Sequence, residues 1–370
     1  MRGVISLSCA ILTSGCLFSG GPGSGDDADP VARDSAQYDR LTSQLEIHRM
    51  PFLGEEADEL QAATQRIFWL EYPVFDPTLH SAKGPRIDYS FALGTEGNYR
   101  ASDTLVVTAT RTGDTVAYRA YAADTGTSRG ELALPAPADG QVWWAYAVAS
   151  DTVYLVTTGS STTVLRWVPG AEPQTEVVLE DVGVDVGEFQ DVGVFGRHML
   201  FIESGRLWEL SLATHVATWT GNTQQITGGI STDGIGVLYT AADGPYYLTF
   251  GGGTPRDLRA EIAASDYRLN ATYATIHTYA SQAVLSHQHV VYKGQSGVFV
   301  FDLKSQRVAP VLLEPRASTP RIVYIDPQIL DDGTIYLTGL ESDSGAVGAE
   351  GPVYSLQLAD VLAEPAPSLR

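Results

Sequence analysis

Cysteine is nearly absent from this chain. Its 370 residues include two, Cys9 and Cys16, both within the first sixteen positions. Beyond them there is no thiol, which excludes disulfides, cysteine-ligated metals and cysteine nucleophiles from the body of the protein. Basic residues are scarce as well. Lys and Arg total 23 against 44 Asp and Glu, giving a net charge of -21. A surface of that sign repels nucleic acid and anionic lipid. Its plainest use is solubility, and it would also attract basic partners or cations. The apolar run from Val4 to Leu12 is too short to hold a bilayer as a spanning helix. The chain has no Gly-x-Ser-x-Gly, no Walker loop and no His-Glu-x-x-His, so no catalytic class is announced by a local motif. Methionine is rare, with 3 residues, whereas tyrosine, with 18, and threonine are plentiful, a bias toward strands.

The N-terminus carries an address. Met1-Arg2 is basic, Val4 to Leu12 is apolar, and Thr13-Ser14-Gly15 places small residues before Cys16. That order describes a secretory signal. It resembles the lipoprotein signal of bacteria, in which a peptidase cuts before a lipid-bearing cysteine. Ser14-Gly15-Cys16 fits that pattern, while Thr13 stands where the family prefers Leu and Leu12 is one place early. The resemblance implies that residues 1–15 are removed, that Cys9 leaves with them, and that Cys16 is the site of lipid attachment. The alternative is an ordinary signal with two incidental cysteines. In the lipoprotein family an Asp after the cysteine favours inner-membrane retention; Leu17 here implies the outer membrane. Gly20-Gly21-Pro22-Gly23-Ser24-Gly25 and the acids Asp26, Asp27 and Asp29 can bury little. Residues 16–45 therefore read as a flexible tether.

Internal repetition dominates the rest. Six segments each show a β-branched or aromatic strand, a turn and a second strand. The first strands include Leu105-Val106-Val107-Thr108, Val153-Tyr154-Leu155-Val156, Val237-Leu238-Tyr239 and Ile335-Tyr336-Leu337-Thr338. Their partners include Leu207-Trp208-Glu209-Leu210 and Val298-Phe299-Val300-Phe301. The hairpins recur at about the length of a propeller blade, ~40–50 residues. Between them lie an outer strand, such as Glu176-Val177-Val178-Leu179, and an inner one, such as Ile322-Val323-Tyr324-Ile325 or Thr275-Ile276-His277. Inner strands end in acidic turns at Asp103, Asp151, Asp233 and Asp332. A turn Asp accepts hydrogen bonds from backbone N–H groups two residues on.

Four strands per repeat is propeller construction. The turn acids, the aromatic third strands and Gly251-Gly252-Gly253-Thr254-Pro255 resemble the TolB-type and related WD40-like propellers over about residues 65 to 360. Only the fourth repeat has the Gly-Gly-x-Pro element, and the third and fifth lack the turn Asp. The expected fold is an all-β single propeller over residues 46–360, followed by a C-terminal tail at 361–370. Six four-stranded blades are expected. Ile67-Phe68-Trp69-Leu70 would complete the last blade, and Arg86-Ile87-Asp88-Tyr89-Ser90-Phe91 would be the first inner strand. The alternative is that residues 67–93 form a hairpin of their own, making seven. Gly54 to Arg66 reads as a short surface helix.

Chemistry is harder to find. His287 and His289 share one side of a strand edge, with His277 on the strand before. Three imidazoles can bind zinc or copper, but without a nearby acid they read as turn residues. The stretch Asp181 to Glu188 with Asp191 lacks the alternation of a calcium loop and reads as a solvated connection. Trp143, Trp144, Trp167, Trp208 and Trp219 mostly read as blade packing. Trp143-Trp144 is the exception, since neighbours on a strand face opposite sides. No metal, cofactor or catalytic residue is assigned. The functional expectation is a membrane-tethered binding or scaffold module for another envelope protein or polymer, with no nucleic-acid partner and membrane contact through the lipid alone. The alternative is a hydrolase or lyase with carboxylates at the channel mouth.

Overall fold

The computed structural model describes residues 48–49, 57–71, 78–83, 86–92, 98–136, 146–158, 161–184, 189–221, 225–251, 253–264, 283–286, 288–294, 297–313, 321–342 and 350–363. The strands fall into seven four-stranded antiparallel sheets. Their innermost strands are Ala57–Ala62, Asn98–Ala101, Tyr146–Ala149, Phe189–Phe195, Ile226–Thr232, Ala283–Ser286 and Arg321–Ile329. Each touches the next, and the seventh touches the first, so the ring is closed. The protein is a seven-bladed β-propeller.

The second strand of each blade explains the closure. It is apolar on both faces, and alternate residues pack against opposite neighbours. In blade 1, Ile67 and Trp69 pack toward blade 7 with Tyr336 and Val353, whereas Phe68 and Leu70 pack toward blade 2 with Tyr99 and Val106. In blade 5, Val237 and Tyr239 face blade 4 and Leu238 faces blade 6. A core cluster of this kind fills each of the seven junctions between blades. A strand buried on both sides reads in sequence as an unbroken apolar run rather than an alternating one, which is why these strands stood out.

The six-blade count is corrected to seven, the alternative arrangement. Blade 1 comprises Ala57–Ala62, Ile67–Glu71, Thr78–Lys83 and Arg86–Ala92 in consecutive register. Its innermost strand occupies the stretch expected to form a surface helix. Leu60 is buried there with Ile67 and Trp69, a tertiary contact that overrides local helix preference. Ile67–Glu71 does not complete the last blade; it is the second strand of its own. Arg86–Ala92 is an outer strand, not an inner one. An N-terminal strand does close the ring, but it is His48–Arg49, which pairs with Tyr354 and Ser355 of Glu350–Gln357. It covers an edge that would otherwise be open.

Two short helices pack on the outside. Leu258–Ala264 buries Leu258 and Ile262 at the junction of blades 5 and 6, and Leu358–Ala363 buries Leu358 and Val361 against blades 6 and 7. Among the described residues no helix is long and apolar enough to cross a membrane.

Candidate functional site: the channel mouth

Each innermost strand ends on the same face of the ring and turns back into its own blade. These turns enclose a cavity of about 870 Å³ on the channel axis. Every blade contributes a wall: Thr64, Asp103, Ser150, His198, Asp233, Leu285 and Asp331, in blade order.

The turn acids are held by backbone donors. Asp233 Oδ1 accepts from the N–H groups of Ile235 at 2.9 Å and Gly236 at 3.1 Å, closing its own turn. Its Oδ2 accepts from the N–H of Gln288 in blade 6 at 2.8 Å. One carboxylate thus fastens two blades. Asp332 accepts from the Thr334 N–H at 2.9 Å. Asp103 departs from the expected pattern. Ser102 closes that turn by accepting from the Leu105 N–H at 3.1 Å, and Asp103 reaches back to the Gln65 N–H of blade 1 at 2.7 Å.

Other bonds continue around the rim. The Ser102 hydroxyl donates to the Ser150 carbonyl at 2.8 Å, joining blades 2 and 3. The Leu285 N–H donates to the Ser231 hydroxyl at 3.1 Å, joining blades 5 and 6 again. The Asp331 N–H donates to the Thr64 carbonyl at 3.1 Å, and the Ala62 N–H donates to Gln328 Oε1 at 3.3 Å, both joining blades 7 and 1. Deeper in the channel, Arg100 of blade 2 lies 3.6 Å from Asp191 of blade 4. Asp191 also accepts from Val192 N–H at 2.8 Å and Ile230 N–H at 3.3 Å. The ion pair spans the front of blade 3.

One wall is aromatic. Phe195 stacks on Phe250 of blade 5 with ring centroids 4.6 Å apart and on His198 at 5.4 Å. His198 Nδ1 lies 2.7 Å from Glu209. In the junction of blades 7 and 1, burial and the nearby Asp332 carboxylate push the Tyr336 hydroxyl up to about 12, so it stays protonated.

The residues singled out in the sequence are placed unevenly. Cys16, His277, His287, Trp143 and Trp144 lie outside the described residues. His289 pairs in register with Asp302 of the adjacent strand. Among the described residues no three metal-binding side chains converge. Glu180–Val182 forms a 3-10 turn ended by Gly183 at a φ of 82°. Asp191, expected in a solvated connection, sits instead on an inner strand. Trp167 is buried in the junction of blades 2 and 3, as expected. Trp219 lies on the outer strand of blade 4, opposite Trp208; it is 47% exposed, with the Arg206 guanidinium 5.7 Å from its ring centroid. Phe195, His198 and Arg100 were not foreseen, because no motif marks them. The third repeat's missing turn Asp was the available hint, since His198 follows that turn.

No family model matches the chain, and no curated protein matches it. Solved structures do. A prolyl endopeptidase from a study of inter-domain dynamics in catalysis is 12% identical with a TM-score of 0.54, covering 86% of this chain and 51% of its own. The chain therefore spans about half the length of that protein. BamB from Moraxella catarrhalis is 12% identical with a TM-score of 0.43, over 85% of this chain and 99% of its own. The extracellular domain of BT4673 from B. thetaiotaomicron is 9% identical with a TM-score of 0.49, over 84% and 40%. These likenesses concern the fold alone.

Proposed function

We propose that the chain is an exported, lipid-anchored propeller that binds another protein or a polymer of the cell envelope at its channel mouth. The observation that carries this reading is the use made of the rim acids. Asp233, Asp332 and Asp103 serve as acceptors for backbone N–H groups, and Asp233 has both oxygens engaged. A hydrolase or lyase would depend on a pair of carboxylates held together for proton exchange, whereas Asp103, Asp233 and Asp332 stand on three separate blades and each takes part in fixing the concave platform of the rim. A cavity of about 870 Å³ lies in the size range of binding clefts, and bonds that already order its rim reduce the cost of ordering it on binding. The signal layout before Cys16 supports lipid attachment there, with residues 16–45 as the tether, and Leu17 supports the outer membrane.

The test uses the full chain in its native envelope. Cys16→Ala should abolish fatty-acid labelling and release the protein from membranes. A photo-reactive residue at Thr104, on the rim, should give one discrete adduct. The same group at Thr112, exposed but away from the cavity, should not. Equal adducts from both positions, or none from Thr104, would remove the mouth as the binding surface.

A further inference from the structure

The chemistry of the mouth is lopsided, and the asymmetry specifies what fits it. Among the described lining residues there is no Lys or Arg, and His198 is the one imidazole. Asp103, Asp233 and Asp331 bring three carboxylates. Asp103 and Asp331 lie on blades 2 and 7, flanking blade 1. The stack of Phe195, His198 and Phe250 lies on blades 4 and 5, across the axis from them. Two carboxylates, of Asp103 and Asp331, thus stand across the cavity from Phe195 and His198, and the third, of Asp233, stands on the aromatic side. Asp331 is exposed, and Asp103 gives one oxygen to Gln65 while its side chain remains partly open to solvent.

We infer that the mouth receives an arginine-bearing basic segment of a partner protein, a reading that rests on the binding function proposed above and names its partner's chemistry. A guanidinium is suited to such a site because it is planar. It takes carboxylate oxygens through paired N–H donors and stacks on aromatic rings, whereas an ammonium is a strongly hydrated point charge. The volume exceeds that of one side chain, so a loop or tail enters rather than a single residue. The net charge of -21 steers a basic segment toward the protein, and the cavity fixes where it docks. Docking this way is compatible with the inter-blade bonds, since Asp103 holds the Gln65 N–H through Oδ1 alone and the Asp233 oxygens stay with their backbone donors.

The test is fluorescence anisotropy with the full-length protein in detergent, using short labelled arginine/glycine, lysine/glycine and glutamate/glycine peptides. The arginine peptide should bind most tightly and the glutamate peptide should not bind. The double variant Asp103→Asn/Asp331→Asn should weaken the arginine peptide about tenfold. Asn keeps an acceptor for the Gln65 N–H, and Asp331→Lys, at an exposed position, gives a second variant, with the folding of each checked by its urea unfolding curve. Phe195→Leu should weaken binding by about threefold. Glu172→Gln, an exposed acid off the rim, should change nothing. Unchanged affinity in the rim variants, or equal binding of the glutamate peptide, would overturn the inference. So would no binding of the arginine peptide. A Thr104 adduct that persists in that last case would preserve the binding function while discarding the basic partner; loss of both would discard the two together.

Discussion

Removing the Asp233 carboxylate should cost more than removing any other turn acid, because it serves three donors in two blades. In Asp233→Ala the N–H groups of Ile235, Gly236 and Gln288 lose their acceptor together. A hydrogen bond to a charged group contributes about 1.5–3 kcal/mol, and most of that is lost when a buried donor is orphaned. Ile235 is exposed and its N–H regains water. Gly236 is buried and Gln288 is half-buried, so their donors recover less. The expected loss is about 2–4 kcal/mol. Asp332→Ala removes one such bond, to Thr334, and should cost about 1–2 kcal/mol. Asp233→Asn separates the two roles. Its amide oxygen can still close the turn, but its NH2 group then faces the Gln288 N–H, donor against donor, so the variant loses the inter-blade bond alone and should fall between. The assay is urea unfolding followed by tryptophan fluorescence, which reports on Trp69 in blade 1 and Trp167 in blade 3, both fully buried. If Asp233→Ala is no worse than Asp332→Ala, the carboxylate does not fasten the blades and the rim is not held as described.

Three further outcomes follow from single features of the fold. A Cβ at Gly236 would stand 2.5 Å from the Tyr247 hydroxyl oxygen and 2.6 Å from the Leu248 carbonyl, so Gly236→Ala should cost about 1–3 kcal/mol in the same assay; an unaffected variant would show that the strand has room. Burial alone would raise the Asp302 pKa, but the Ser305 hydroxyl, the Lys304 and Ser305 N–H groups and His289 together hold it below the ordinary carboxyl range. Its contribution to stability is present above the unfolded carboxyl range and is lost as pH falls through the folded value, so Asp302→Asn should be less stable near neutrality and lose less on acidification below about pH 4. Parallel losses in both proteins would refute this. Deleting residues 1–50 removes the His48–Arg49 strand and bares the edge of Glu350–Gln357, which should lower the thermal midpoint and produce concentration-dependent light scattering; a monomer as stable as the full chain would show that two paired residues do not protect the ring.

The repeat was legible because of double-sided burial. Val106, Leu238 and Tyr336 each belong to a strand packed between two blades, and such strands carry apolar residues on both faces along most of their length. The blade count was not legible, for a physical reason at each point of difference. Blade 1 has an innermost strand, Ala57–Ala62, whose acids and alanines carry little β preference; its place is set by Leu60 meeting Tyr336 and Val353 from the far end of the chain. Pairing between residues so distant in sequence leaves no local trace. The closing strand, His48–Arg49, is too short to produce a pattern at all. Outer strands misled in a similar way. Arg86–Ala92 has enough apolar residues to resemble an inner strand, and its pairing with Thr78–Lys83, with no further strand beside it among the described residues, assigns it to the outer edge of blade 1.

The mouth was less legible than the fold because each blade supplies only one or two of its residues. Thr64 and Asp331 are hydrogen-bonded neighbours separated by most of the chain, and Phe195 meets Phe250 across a blade boundary. A motif search reads neighbours in sequence, whereas a propeller brings residues together one repeat apart. The acidic turns were visible and their local role was inferred correctly for Asp233 and Asp332. What the sequence did not separate was an acid that closes its own turn from one that ties adjacent blades, because the two differ only in where the second oxygen points. That difference bears on function. A rim in which Asp103 and Asp233 reach to opposite neighbours resists splaying of blades 1–2 and 5–6. The cavity then holds its shape before any ligand arrives, and selectivity rests on which charges and rings line it rather than on how far it can close.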